Sequence, residues 1–139
     1  MSIYSEKTLP FSVELLDEVG HLLKTSERIV ILSHRQPDGD TIGANLALRM
    51  ALQQWGKSPI SACIDPPPEY TLILPGVYDF VNDFDTSAVD LLIAVDCGEH
   101  YMTRFHEKNP EILSKKIPFN SIKALEDLGY YSVDNLPLE

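Results

Sequence analysis

The run Ile29-Val-Ile-Leu-Ser-His34-Arg-Gln-Pro37-Asp38-Gly39-Asp40-Thr-Ile-Gly43 places one imidazole and two carboxylates close together in a turn-forming stretch. A further acid, Asp96, follows the apolar run Leu91-Leu-Ile-Ala-Val95 and precedes Cys97-Gly98. These are metal-ligand types, and a mixed nitrogen and oxygen set suits Mn²⁺, Mg²⁺ or Fe²⁺ better than an ion that prefers thiolate. His34, Asp38, Asp40 and Asp96 form the candidate set, with Mn²⁺ expected first and Mg²⁺ as its substitute. Asp40, just before Thr41-Ile42-Gly43-Ala44, has a plainer alternative as a helix cap. A cap explains neither the histidine upstream of the acids nor two acids flanking one glycine.

The elements that must position these groups follow from the pattern. Ile29–Leu32 and Leu91–Val95 are uninterrupted apolar runs, as strands covered on both faces require, and each delivers its polar residues into a turn. Ligands of open α/β sheets bind at the carboxyl ends of such strands. The expected order is helix, strand, helix, strand, loop, strand, helix and tail. Phe11–Leu23 carries apolar residues at 15, 16, 19, 22 and 23, which predicts an amphipathic helix with Ser12 as cap and His21 facing solvent. Thr41–Trp55 is expected to be the helix after the first motif, with Leu46, Leu48, Met50 and Leu52 buried, Gly56 as its stop and its N-terminus toward bound phosphate. Pro59–Ile64 reads as a strand and Asp65–Glu69 as a proline-stiffened loop. Tyr70–Leu74 reads as a helical turn and Tyr78–Val81 as a short strand, with Asp79, Asp83 and Asp85 as solvated turn acids. A helix after Asp96 is expected to carry Glu99, His100, Tyr101 and Arg104.

The segment from His34 to Gly43 resembles the first motif of the DHH phosphoesterases, and Val95-Asp96-Cys97-Gly98 resembles the second. The resemblance spans about residues 10 to 119 and implies an α/β fold, a parallel sheet with helices on both faces, truncated relative to the family. It also implies a hydrolase of phosphate esters, of the kind that includes oligoribonuclease-type exonucleases, 3′-phosphoadenosine 5′-phosphate phosphatases and cyclic-dinucleotide phosphodiesterases. Carried over by position, His34 and Asp38 ligate one metal, Asp40 a second, and Asp96 bridges them, with Asp38, Asp40 and Asp96 the catalytic carboxylates. A metal pair about 3.5–4 Å apart activates water and neutralises charge on phosphoryl oxygens.

The departure from the family is equally informative. Its third motif, Asp-His-His, does not occur, and the four histidines His21, His34, His100 and His106 are all separate. Ser114–Phe119 reads like the approach to that motif, but Asn120-Ser-Ile-Lys123 follows, and the family's fourth motif and C-terminal domain have no counterpart. Residues 122–137 resemble a stretch of the P-loop RNase adapter family, with no Gly-Lys-Ser/Thr ahead of them to cradle phosphate. The expected division is a DHH-like domain over 1–119, incomplete, and an unrelated tail over 120–139, the chain hydrolysing phosphate esters weakly or not at all. The alternatives are a non-catalytic metal- or nucleotide-binding module and a structural fragment.

The 139 residues, 44% of them apolar, suffice for one core. A net charge of −10 argues against extended duplex binding but leaves open a small nucleotide or short oligonucleotide whose phosphate approaches once divalent metal is present. Arg35 and Arg104 are candidates for phosphate contact, with solvated surface as the plainer reading. No run is long and apolar enough for a membrane span, so no membrane partner and a cytoplasmic location are expected. Cys63 and Cys97 read as reduced thiols. An exposed sheet edge would favour a homodimer.

Overall fold

The computed structural model describes residues 13–113 and 119–121. The Ser12 cap, the approach over 114–118 and the tail from Ile122 lie outside the described residues. In chain order the elements are helix α1 (Val13–Thr25), strand β1 (Ile29–Leu32), helix α2 (Gly39–Gln54), β2 (Ile60–Ala62), β3 (Leu91–Ala94), the one-turn helix α3 (Phe105–Lys108) and β4 (Phe119–Ser121). Five short 3-10 turns fill the connections among the described residues.

The strands form one parallel sheet in the order β2-β1-β3-β4. The two central strands, β1 and β3, are apolar throughout and buried along their whole length, as two covered faces demand. One face packs Ile29, Ile31, Leu91 and Ile93 against Leu22 and Leu23 of α1 and Leu48 and Leu52 of α2. The other packs Val30, Leu32, Leu92 and Ala94 against Phe105 of α3 and against Ile112. Helices thus cover both faces, as the α/β reading expects.

The order of strands also fixes where a ligand can sit. From β1 the chain moves to β2 on one side and then crosses to β3 on the other, so the direction of winding reverses between β1 and β3. A crevice opens at the carboxyl ends of strands at such a switch point. The register pairs Leu32 with Ala94. Continued by two residues, it sets His34 beside Asp96.

Several local expectations are corrected. Helix α2 starts at Gly39, because Asp38 rather than Asp40 is its cap: Asp38 Oδ1 accepts from the amides of Asp40 and Thr41, each at 3.1 Å. Within α2 the buried positions are Thr41, Ile42, Asn45, Leu46 and Leu52, whereas Met50 is 50% exposed. At 100° per residue Met50 falls outside the stripe those five define. Tyr78–Val81 is not a strand. Gly76, at φ 84°, starts a 3-10 turn over Val77–Asp79, and Val81 alone bridges to Ala62. No continuous helix follows Asp96 either. A 3-10 turn over His100–Thr103 is broken by Arg104 at φ 62° before α3 begins. An unexpected β4 adds a fourth strand beside β3.

Candidate metal centre

The loop that leaves β1 is held on both sides. The Arg35 amide donates to the Met102 carbonyl at 2.9 Å, from the loop after β3. The Gln36 amide donates to Asp65 Oδ2 at 2.9 Å, from the loop after β2, and Arg35 Nε lies 3.8 Å from the same oxygen. Among the described residues, the three non-glycines with positive φ are Gln36, Asp96 and Arg104, all in the loops that leave β1 and β3. Such conformations cost free energy and collect at functional sites. At Asp96, φ 54° turns the chain sharply as it leaves β3.

These constraints bring His34, Asp38 and Asp96 together, with one candidate ligand atom from each lying within 4.8 Å of the others. His34 Nε2 is 3.7 Å from Asp38 Oδ1 and 3.6 Å from Asp96 Oδ2. Its other nitrogen, Nδ1, lies 2.8 Å from the Arg35 carbonyl, so the ring donates there and directs Nε2 between the two carboxylates. An imidazole anchored through one nitrogen by a backbone carbonyl is the usual arrangement of a metal-ligating histidine. The donor set, one imidazole and two carboxylates, fits a divalent ion of the Mn²⁺ or Mg²⁺ class. In this arrangement the pKa of the imidazole is raised to about 9, chiefly by its interaction with Asp96, with burial opposing and the Arg35 carbonyl and the charges of Asp38 and Asp96 assisting.

Asp40 is not part of this cluster. It lies exposed in the first turn of α2, one helical residue beyond Gly39. The two arginines near the site face carboxylates: Arg35 faces Asp65, and Arg104 pairs with Glu107. Cys97 is buried and donates to the Val95 carbonyl within the core, in keeping with a small buried hydrophobe. The side chain of His100 lies outside the described set.

A buried polar network that the sequence pattern does not announce lies beneath the cluster. Asn45 Nδ2 donates to the Ile31 carbonyl at 2.9 Å and to Ser33 Oγ at 3.0 Å. Ser33 Oγ donates to the Thr41 carbonyl, and Thr41 Oγ1 to the Val95 carbonyl, both at 3.3 Å. All three side chains are fully buried. They fasten the first turns of α2 to the carboxyl ends of β1 and β3, and so fix Asp38 relative to His34 and Asp96. The available signal was Asn45 itself, a polar residue on the same helix face as Ile42 and Leu46.

Among the described residues no helix is long and apolar enough to cross a membrane. The fold resembles a solved structure, the crystal structure of an exopolyphosphatase-related protein from Bacteroides fragilis, with a TM-score of 0.67 and 20% identity. The match covers 85% of this chain and 35% of that one, so the chain spans about a third of the length of its structural neighbour. Residues 28–117 match the model of the DHH family N-terminal domain, a stretch that contains β1, β3 and every residue of the cluster. The chain therefore belongs to the DHH family.

Proposed function

We propose that this chain supplies the first metal half-site of a divalent-metal-dependent phosphoesterase acting on short oligonucleotides or small nucleotides. In this reading His34, Asp38 and Asp96 hold one Mn²⁺ or Mg²⁺, and Asp40 serves the adjoining position. The observation that carries it is the convergence of His34, Asp38 and Asp96 at the switch point of a DHH-family sheet. A bound divalent ion supplies Lewis-acid polarisation of phosphoryl oxygens and a lowered pKa for water.

The chain's own residues do the positioning. The Arg35 carbonyl fixes the tautomer of His34, and the cap made by Asp38 orients its carboxylate while starting α2 at the site. The N-terminal amides of that helix favour an anion such as phosphate. With Asn120-Ser-Ile-Lys123 where the family's Asp-His-His belongs, turnover by this chain is slow or absent, which favours a metal-binding module as the second reading.

The test is hydrolysis of a diribonucleotide and of 3′-phosphoadenosine 5′-phosphate with Mn²⁺, using Asp96→Ala to subtract any contaminating enzyme. Slow turnover that vanishes in the variant supports the phosphoesterase. Metal binding without turnover supports the module. Absence of both removes the proposal.

A further inference from the structure

Tyr70 is a large aromatic left 65% exposed, and its place is specific. A Cβ built on Gly39 would lie 3.4 Å from Tyr70 Cε2, so the ring edge sits over the residue between Asp38 and Asp40. The segment bearing Tyr70 is held firmly. Asp65 is tied to the loop after β1 through the Gln36 amide, and three prolines follow it. The 3-10 turn Glu69–Thr71 is closed by the Thr71 amide and hydroxyl, which both donate to the Pro68 carbonyl at 2.9 and 2.6 Å, and Thr71 is buried. The backbone that carries this exposed ring is thus held relative to the metal cluster, and pre-organisation of that kind favours binding.

Charge points the same way. The chain carries −10 overall, and the nearby cations Arg35 and Arg104 already face Asp65 and Glu107. Among the described residues, the contact left to offer beyond the phosphate group is uncharged, and the face of an aromatic base stacks on a tyrosine regardless of charge. We propose that Tyr70 is the specificity-determining platform on which the base of a nucleotide stacks when its phosphate occupies the His34–Asp38–Asp96 centre. This inference rests on the phosphoesterase reading and adds the residue that selects a nucleoside phosphate over a phosphate ester without a base.

The probes are adenosine 5′-monophosphate and ribose 5-phosphate, in which an anomeric hydroxyl stands in place of the base, titrated calorimetrically into the full chain with saturating Mn²⁺. Stacking is worth about 1–3 kcal/mol per base, so the nucleotide binds about 5- to 150-fold tighter. Tyr70→Ala brings the ratio of the two affinities to within about twofold of one, and Tyr70→Trp restores it. If ribose 5-phosphate binds with Mn²⁺ and the nucleotide binds equally, or if Tyr70→Ala keeps the preference, the platform is overturned and the phosphate site stands. If neither probe binds in the presence of Mn²⁺, the phosphoesterase reading fails and takes the platform with it.

Discussion

Replacing Asn45 by Leu probes the scaffold beneath the site while keeping side-chain volume close to the original. Asn45 is fully buried and donates to the Ile31 carbonyl and to Ser33 Oγ. Each hydrogen bond contributes about 1 kcal/mol net, and the two buried acceptors that lose a donor add a penalty of similar size. Part of this is offset, because Asn45 Oδ1 is buried with no partner among the described residues and the substitution removes it. The balance is a loss of about 2 kcal/mol of stability. With a urea m-value of about 2 kcal/mol/M, the midpoint falls by roughly 1 M. The assay is equilibrium urea unfolding with chelator present, so that bound metal does not contribute. A midpoint unchanged within about 0.2 M, at an unchanged m-value, would refute the claim that this network holds α2 to the sheet.

Further outcomes follow from single groups. In the metal-free chain His34 is raised from 6.5 to about 9, so the imidazolium stabilises the fold. That contribution is complete below 6.5 and lost as pH rises through about 9; urea midpoints in chelator therefore decline over that window, and His34→Gln removes the decline. Lys57 Nζ donates to the carbonyls of Lys24 and Ser26, each at 2.8 Å, and to Glu27 Oε1 at 3.0 Å. Lys57→Met leaves the carbonyls at the end of α1 short of a donor and costs about 1–3 kcal/mol, again read by urea unfolding; a loss under about 0.5 kcal/mol would deny Lys57 that role.

What could be read from the sequence divides along physical lines. The strands β1 and β3 were legible because full burial on two faces demands continuous apolar runs. The cluster residues His34, Asp38 and Asp96 were legible because both runs end in polar turns. The Ser33–Thr41–Asn45 network was not, since its bonds join a helix to two strands far apart in the chain. That Asp38 caps α2, in place of the expected Asp40, depends on where the backbone first turns helical, which neither side chain announces. Tyr78–Val81 had strand-like residues, but the left-handed turn at Gly76 and the ion pair of Arg49 with Asp79 at 3.2 Å accompany a 3-10 turn there. After Asp96, a left-handed Arg104 interrupts what the local pattern would have allowed as one helix.

Whether His34, Asp38 and Asp96 form one metal centre is decided by Mn²⁺ titration of the chain and its variants, with free Mn²⁺ followed by electron paramagnetic resonance. The Mn²⁺ site is expected to be weakened at least about tenfold by each of His34→Gln, Asp38→Asn and Asp96→Asn, and untouched by Asp83→Asn, an exposed acid outside the cluster. Equal weakening by Asp83→Asn would reduce the binding to the general acidity of the chain. Full affinity in any of the three cluster variants would contradict the centre.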